Sequence, residues 1–141
     1  MRNLAITLLG IALASCSTAY QEAGSDGGLD HYWAQPDILV VEARGNGYTS
    51  TKRIKEMSEL WAAEAGLASG YSYMTISNKK DVSSTSYVSS DELGLVSVTE
   101  PGSDVAYKMW KVAPTNFTKG QYLNINEVIS EYSAKYKKGK S

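Results

Sequence analysis

The side chain best equipped for chemistry is Cys16, the single cysteine in 141 residues. It closes the run Leu13-Ala14-Ser15-Cys16, behind a basic Arg2 and a short apolar stretch from Leu4 to Leu13. A positive start, a short apolar core and small residues before a cut are the marks of a secretory signal. The stretch is too short to span a bilayer, which takes about 20 apolar residues. A thiolate is the strongest nucleophile among the side chains, so a thioether bond to a lipid can form at this position.

A second stretch has a ligand-binding character. Arg44-Gly45-Asn46-Gly47 leads into a helix start, where free backbone N–H groups and the positive dipole end make a ready anion site. Arg44 could add a bidentate contact to phosphate or carboxylate. The turn nevertheless contains only a lone G-x-G and neither phosphate-loop nor dinucleotide fingerprint. Its simplest use is a tight turn that needs positive φ.

Other chemistries find little support in the residues. The serines lack a G-x-S-x-G elbow, and the single histidine, His31, lies in a Gly/Ser/Asp-rich stretch. Glu42, Glu64, Asp91 and Glu100 could meet as acid–base pairs, but each reads more simply as a solvated or salt-bridged charge. No His/Cys/Asp cluster has metal-ligand spacing. The expectation is therefore a protein that is not an enzyme, with no catalytic residues, cofactor or metal. A net charge of −1 without a basic block argues against nucleic acid as a partner. Ten tyrosines and three tryptophans against one phenylalanine favour amphipathic aromatics, which suit wet interfaces or the rim of a small core.

The elements that must position these groups follow from periodicity. Residues 16–36 are rich in Gly, Ser, Asp and Ala without a period, and read as a flexible tether behind a cleaved segment 1–15. Asp37 to Arg44 is a β-branched run between Pro36 and Gly45, hence a strand. Lys52 to Ser69 repeats apolar residues at helical spacing, with Lys52, Lys55, Glu56, Glu59 and Ala63 on the other face. Thr49, Ser50 or Thr51 can cap its start, and Gly70 stands where a left-handed cap belongs. Tyr71 to Asn78 alternates as a second strand, parallel in direction to the first, with Tyr71 and Tyr73 as a same-face pair suited to a glycan or a partner.

Lys79 to Glu92 reads as a loop or exposed hairpin. Leu93 to Thr99 and Val105 to Val112 read as two strands paired across a Glu100–Asp104 turn. Asn124 to Lys137 is a second amphipathic helix, with Asn124 or Asn126 as its cap. Together these give one α+β domain over residues 37–138: a small mixed sheet of three to four strands, two amphipathic helices packed on one face, and a basic tail at 139–141.

The run Leu13-Ala14-Ser15-Cys16 resembles the bacterial lipobox. That resemblance implies diacylglyceryl transfer to the Cys16 thiol, cleavage before Cys16, and usually acylation of the new amine. Two or three chains give stable anchoring where one is marginal. Ser17, in a place where aspartate would signal inner-membrane retention, points to the periplasmic leaflet of the outer membrane.

The mature chain is also similar to a family of small bacterial lipoproteins of unknown function, known mostly by locus tags. The resemblance rests on Arg44-Gly45-Asn46-Gly47-Tyr48-Thr49-Ser50, on Leu60-Trp61-Ala62-Ala63-Glu64 and on Gly70-Tyr71-Ser72-Tyr73. It is fainter at Tyr107–Val112 and Asn126-Glu127-Val128-Ile129. The Ser-rich middle departs from a Gly-rich loop common in such families. The resemblance implies an envelope location and no established activity. The combined expectation is a membrane-anchored lipoprotein acting as a structural or interaction protein, with an envelope protein or peptidoglycan as partner. The alternative is a binding module for an anionic or glycan ligand such as peptidoglycan or lipopolysaccharide, held at Arg44 to Gly47.

Overall fold

Strict alternation in Ile38–Arg44 and Gly102–Trp110 sets the frame. Leu39, Val41 and Ala43 on one strand, and Val105, Tyr107 and Met109 on the other, are buried while their neighbours are half-exposed. The computed structural model describes residues 18–24, 27–92 and 94–137; the segment 1–15, Cys16 and the 139–141 tail lie outside them. In chain order the elements are β1 (Gly28–Gln35), β2 (Ile38–Arg44), α1 (Thr51–Ala68), β3 (Tyr73–Asp81), β4 (Ser84–Ser90), β5 (Gly94–Glu100), β6 (Gly102–Trp110), β7 (Leu123–Asn124) and α2 (Ile125–Tyr136).

Five strands form one sheet in the order β1-β2-β6-β3-β7, and β4 pairs with β5 alone. The class is α+β, but the expected mixed sheet of three to four strands is corrected. All four pairings in the main sheet are antiparallel. The strands flanking α1, β2 and β3, do run in the same direction. They are not neighbours, because β6 enters between them and pairs with both.

The expected hairpin across Glu100–Asp104 is also corrected. Asp81 faces Ser103 and Ser84 faces Glu100, so β3–β4 and β5–β6 form one long two-stranded ribbon whose register runs on through the bend, after a bulge between Ile76 and Asn78. It is kinked where Val82 N–H donates to Gly102 O at 3.0 Å. Pro101 has no N–H to give a ladder, so the residues that looked like a turn mark a bend within the ribbon. The half beyond the bend, β4–β5, is an arm standing off the body.

Residues 16–36 are the largest departure from expectation. Gly28–Gln35 is a strand paired along its length with β2, and Leu29 is fully buried opposite Ala43. Upstream, Thr18 and Tyr20 are buried as well, so the folded unit begins at least at Thr18 instead of residue 37. The signal was present as the alternation Leu29-x-His31-x-Trp33, in which Leu29 joins the core and Trp33 packs against it. Glycine and aspartate around it masked that pattern.

Helix α1 is capped by Ser50, whose side chain accepts from Arg53 N at 3.1 Å. It closes in a Schellman arrangement, with Gly70 at φ 89°, Gly70 N–H to Leu67 O and Tyr71 N–H to Gly66 O. Its apolar face, with Ile54, Met57 and Leu60, covers β2 and β6. Of the face read as solvent-facing, Lys52 and Lys55 are exposed, but Glu56, Glu59 and Ala63 are covered because α2 lies mainly against α1 and reaches the sheet through β7. Gly66 sits where a Cβ would be 2.9 Å from Met109 Sδ and 3.0 Å from Ile125 Cδ1. Asn124 caps α2 by accepting from Glu127 N.

Candidate functional site

At the end of the sheet where β2 finishes and α1 starts, the Gly45–Thr49 turn forms a socket. Thr18 Oγ1 accepts from Asn46 N–H at 2.9 Å and from Thr49 Oγ1 at 2.8 Å, and Thr18 N–H donates to Thr49 Oγ1 at 2.9 Å. Arg53 Nε donates to Thr18 O at 2.9 Å. The rest of the turn is engaged within the fold: Gly45 N–H bonds Pro101 O, Tyr48 N–H bonds Asn46 Oδ1, and Thr49 N–H bonds Asn46 O. Of the donors that would hold an anion, Asn46 N–H and the Thr49 hydroxyl bond Thr18, and those of Gly45, Tyr48 and Thr49 N–H are met by Pro101 and Asn46.

Arg44 is the second change from expectation. Its guanidinium donates to Asp104 Oδ1 at 2.8 Å across the sheet and to Ala43 O at 2.9 Å. Arg44 is thus a cross-strand ion-pair partner, and its charge is met within the fold. Gly45, Asn46 and Gly47 do not have the positive φ anticipated for them. Glycine at 45 instead leaves room for Thr49, whose Cβ would lie 2.8 Å from a Cβ added there. Gly47 likewise accommodates the arm, since its added Cβ would lie 2.8 Å from Val98 Cγ1.

A cleft missed by sequence reasoning opens between α1 and the ribbon beside its bend. It is small, with a cavity volume of about 80 Å³, and has Ile54, Ile76, Val105 and Tyr107 as an apolar floor with Lys55, Glu59, Lys79 and Asp81 around it. Lys55 is held by Glu59 at 3.0 Å, and Tyr107 OH pairs with Ser58 Oγ at 2.9 Å. Burial pushes the Tyr107 hydroxyl above its ordinary pKa, so it stays a neutral hydrogen-bonding group. An apolar floor with a few convergent polar groups is the common form of a small-molecule site. Only pairing β3 with β6 builds it, which is why spacing along the chain did not show it.

The other singled-out residues are dispersed. His31 accepts at Nδ1 from Trp61 Nε1 at 2.8 Å, beside Tyr20, whose hydroxyl donates to Glu64. Tyr71 and Tyr73 do not act as a pair: Tyr71 packs on Trp33 and donates to Pro36 O, while Tyr73 meets Tyr122 edge-on. Of the four carboxylates weighed as acid–base partners, Glu64 is ion-paired with Lys137 at 2.8 Å. Among the described residues, no group of three or more His, Cys, Asp or Glu side chains could hold a metal ion.

The interhelix contact contains a polar knot. Glu56 accepts from Lys135 Nζ at 2.9 Å through both oxygens and from Tyr136 OH at 3.0 Å. Burial pushes the Glu56 carboxyl up, but the bonds from Lys135 and Tyr136, with the charges of Lys135 and Lys52, outweigh it and hold the group below the usual glutamate value. Its partners are both on α2, so this is a lock between helices.

In comparison with known proteins, no family model matches the chain, and neither a curated protein nor a solved structure gives a significant match.

Proposed function

We propose that this chain is a lipid-anchored protein of the bacterial envelope, held through Cys16 and working by binding a partner instead of by catalysis. The observation that carries the reading is the frame Leu13-Ala14-Ser15-Cys16 at the end of a short apolar signal, with Ser17 favouring the outer membrane's periplasmic face. The fit of Thr18 into the Gly45–Thr49 socket is compatible with it, because an anchor at Cys16 would then hold the folded domain close to the membrane. Radioactive palmitate fed to cells making the wild type should label it, and Cys16→Ser should carry no label. An unlabelled wild type overturns the reading.

A second reading, ligand binding, is favoured by the α1–ribbon cleft and replaces the Arg44 turn as its seat. The rim pairs two lysines with two carboxylates over an apolar floor, which suits an amphipathic envelope ligand better than a purely anionic one. Ile76 is exposed at this floor, so Ile76→Lys can block the cleft without opening the core. Retention on purified peptidoglycan or lipopolysaccharide that survives Ile76→Lys in folded protein would remove the cleft from consideration.

A further inference from the structure

The arm and the anchor leave the molecule at the same end. Gly24, Gly27, Gly45 and Asn46 share a surface hollow with Ser84 and Glu100 at the arm's base, and Val98 of β5 lies against Gly47. Thr18 is only 1% exposed and is bonded into that end. One residue separates it from Cys16, so chain geometry keeps the two Cα atoms within roughly 7 Å. A seven-residue ribbon extends about 23 Å. An arm of that length, rooted beside so short a link, has the reach to meet the plane that holds the anchor.

Its surface suits that plane. Tyr87 (68% exposed) and Leu95 (72%) stand out on one face of the arm, Val88 (50%) lies on the other, and Tyr48 (77%) stands out on the adjoining turn. Tyrosine with isolated aliphatic groups is the composition that seats at headgroup level. Residues 84–100 contain Asp91, Glu92 and Glu100 and no lysine or arginine, so attraction to anionic lipid is not the driving term. The outer edges of β4 and β5 have no strand partner. Their free N–H and C=O groups can be satisfied in the wet interface but not in hydrocarbon, which sets the depth.

We propose that the β4–β5 arm lies in the headgroup layer of the membrane that holds Cys16, with Tyr87 and Leu95, which share one face of the arm, seated among the lipids. This inference rests on the lipid-anchor reading. The domain is then fixed at two points, by acyl chains and by the arm, and the far end of the sheet, at Val112, faces away from lipid.

The test uses the full lipidated protein in vesicles of phosphatidylethanolamine and phosphatidylglycerol. Lipidation occupies Cys16, so Leu95→Cys, Tyr87→Cys and Val112→Cys each provide one free thiol for a fluorophore. All three sites are exposed, so the changes are compatible with folding. Headgroup spin-labelled lipid should quench the two arm labels at least about twofold more than the Val112 label, and high salt should leave the difference unchanged. Equal quenching at all three sites in lipidated, vesicle-bound protein overturns the arm contact and leaves the anchor reading intact. Efficient crosslinking of Leu95→Cys to its counterpart in the same vesicles also overturns it, because a second copy then covers the arm. Protein recovered without lipid on Cys16 overturns both readings, and mass measurement of the N-terminal peptide identifies that case.

Discussion

The two halves of the long ribbon share strands, register and antiparallel pairing, yet they do different work. In the near half, β3 and β6 have β2 alongside and α1 above, and Val105, Tyr107, Met109 and Met74 are buried. In the far half, β4 and β5 have only each other, and Tyr87, Val88 and Leu95 remain exposed. Backbone pairing is therefore not what separates body from arm. The separation comes from a covered face, since a lone two-stranded hairpin is marginal in water and needs a layer to pack on. Composition follows this: β6 alternates large apolar residues, whereas β4 is STSYVSS.

The contrast can be broken most forcefully in the body. Leu60 is fully buried between helix and sheet, so Leu60→Ala should cost about 3 kcal/mol in urea unfolding. Gly66→Ala comes next, at roughly 1–3 kcal/mol, because its methyl would press on Met109 and Ile125. Thermal unfolding would register it.

Thr18→Val tests whether the N-terminal segment belongs to the body. It preserves shape but leaves Asn46 N–H without the bond it makes to Thr18, so a loss of about 1–2 kcal/mol is expected. Limited proteolysis should then cut before residue 24 sooner than in the wild type.

Glu56 gives a pH arm to the comparison. A carboxyl whose pKa is depressed on folding adds stability that is complete well above the unfolded value and lost as pH falls through the folded one. Acidification below about pH 4.3, the ordinary glutamate value, should therefore erode wild-type stability more than that of Glu56→Gln. Denaturant midpoints across pH 2–7 would show converging curves at the acid end.

The smallest effect belongs to the arm. Leu95→Ala should shift stability by no more than about 0.5 kcal/mol. Hydrogen exchange in the detergent-free soluble domain should protect amides of β6 and leave those of β5 among the fastest. An arm as protected as the body would dissolve the distinction.

Much of this architecture is readable from local pattern. Ser50, Gly70 and Asn124 act as the expected caps, and both helices lie within a residue of their expected bounds, because capping and 3.6-residue spacing are local signals. Strand partnership is not local. Pro101 and its neighbours have turn chemistry, but the kink they make serves a ribbon closed some ten residues away. The polar face of α1 was misjudged for the same reason, since only α2's arrival buries Glu56 and Glu59. At the candidate site, Arg44 to Gly47 reads from the sequence as an anion-binding turn, but Asn46 N–H bonds Thr18, and no spacing rule links residue 18 to residue 46.

The position of β6 also has a bearing on when the molecule can fold. Strand 102–110 is the central strand of the main sheet, although three of the other four strands, β1, β2 and β3, precede it in synthesis. Until it emerges, β2 and β3 have no common neighbour, and α1 has only part of a floor to settle on. Such long-range closure is slow. The β1–β2 hairpin can pair on its own, but it cannot be joined to β3 while strand 102–110 is missing. The order of the strands thus acts as a timer, closing the main sheet only after residue 110 has been made.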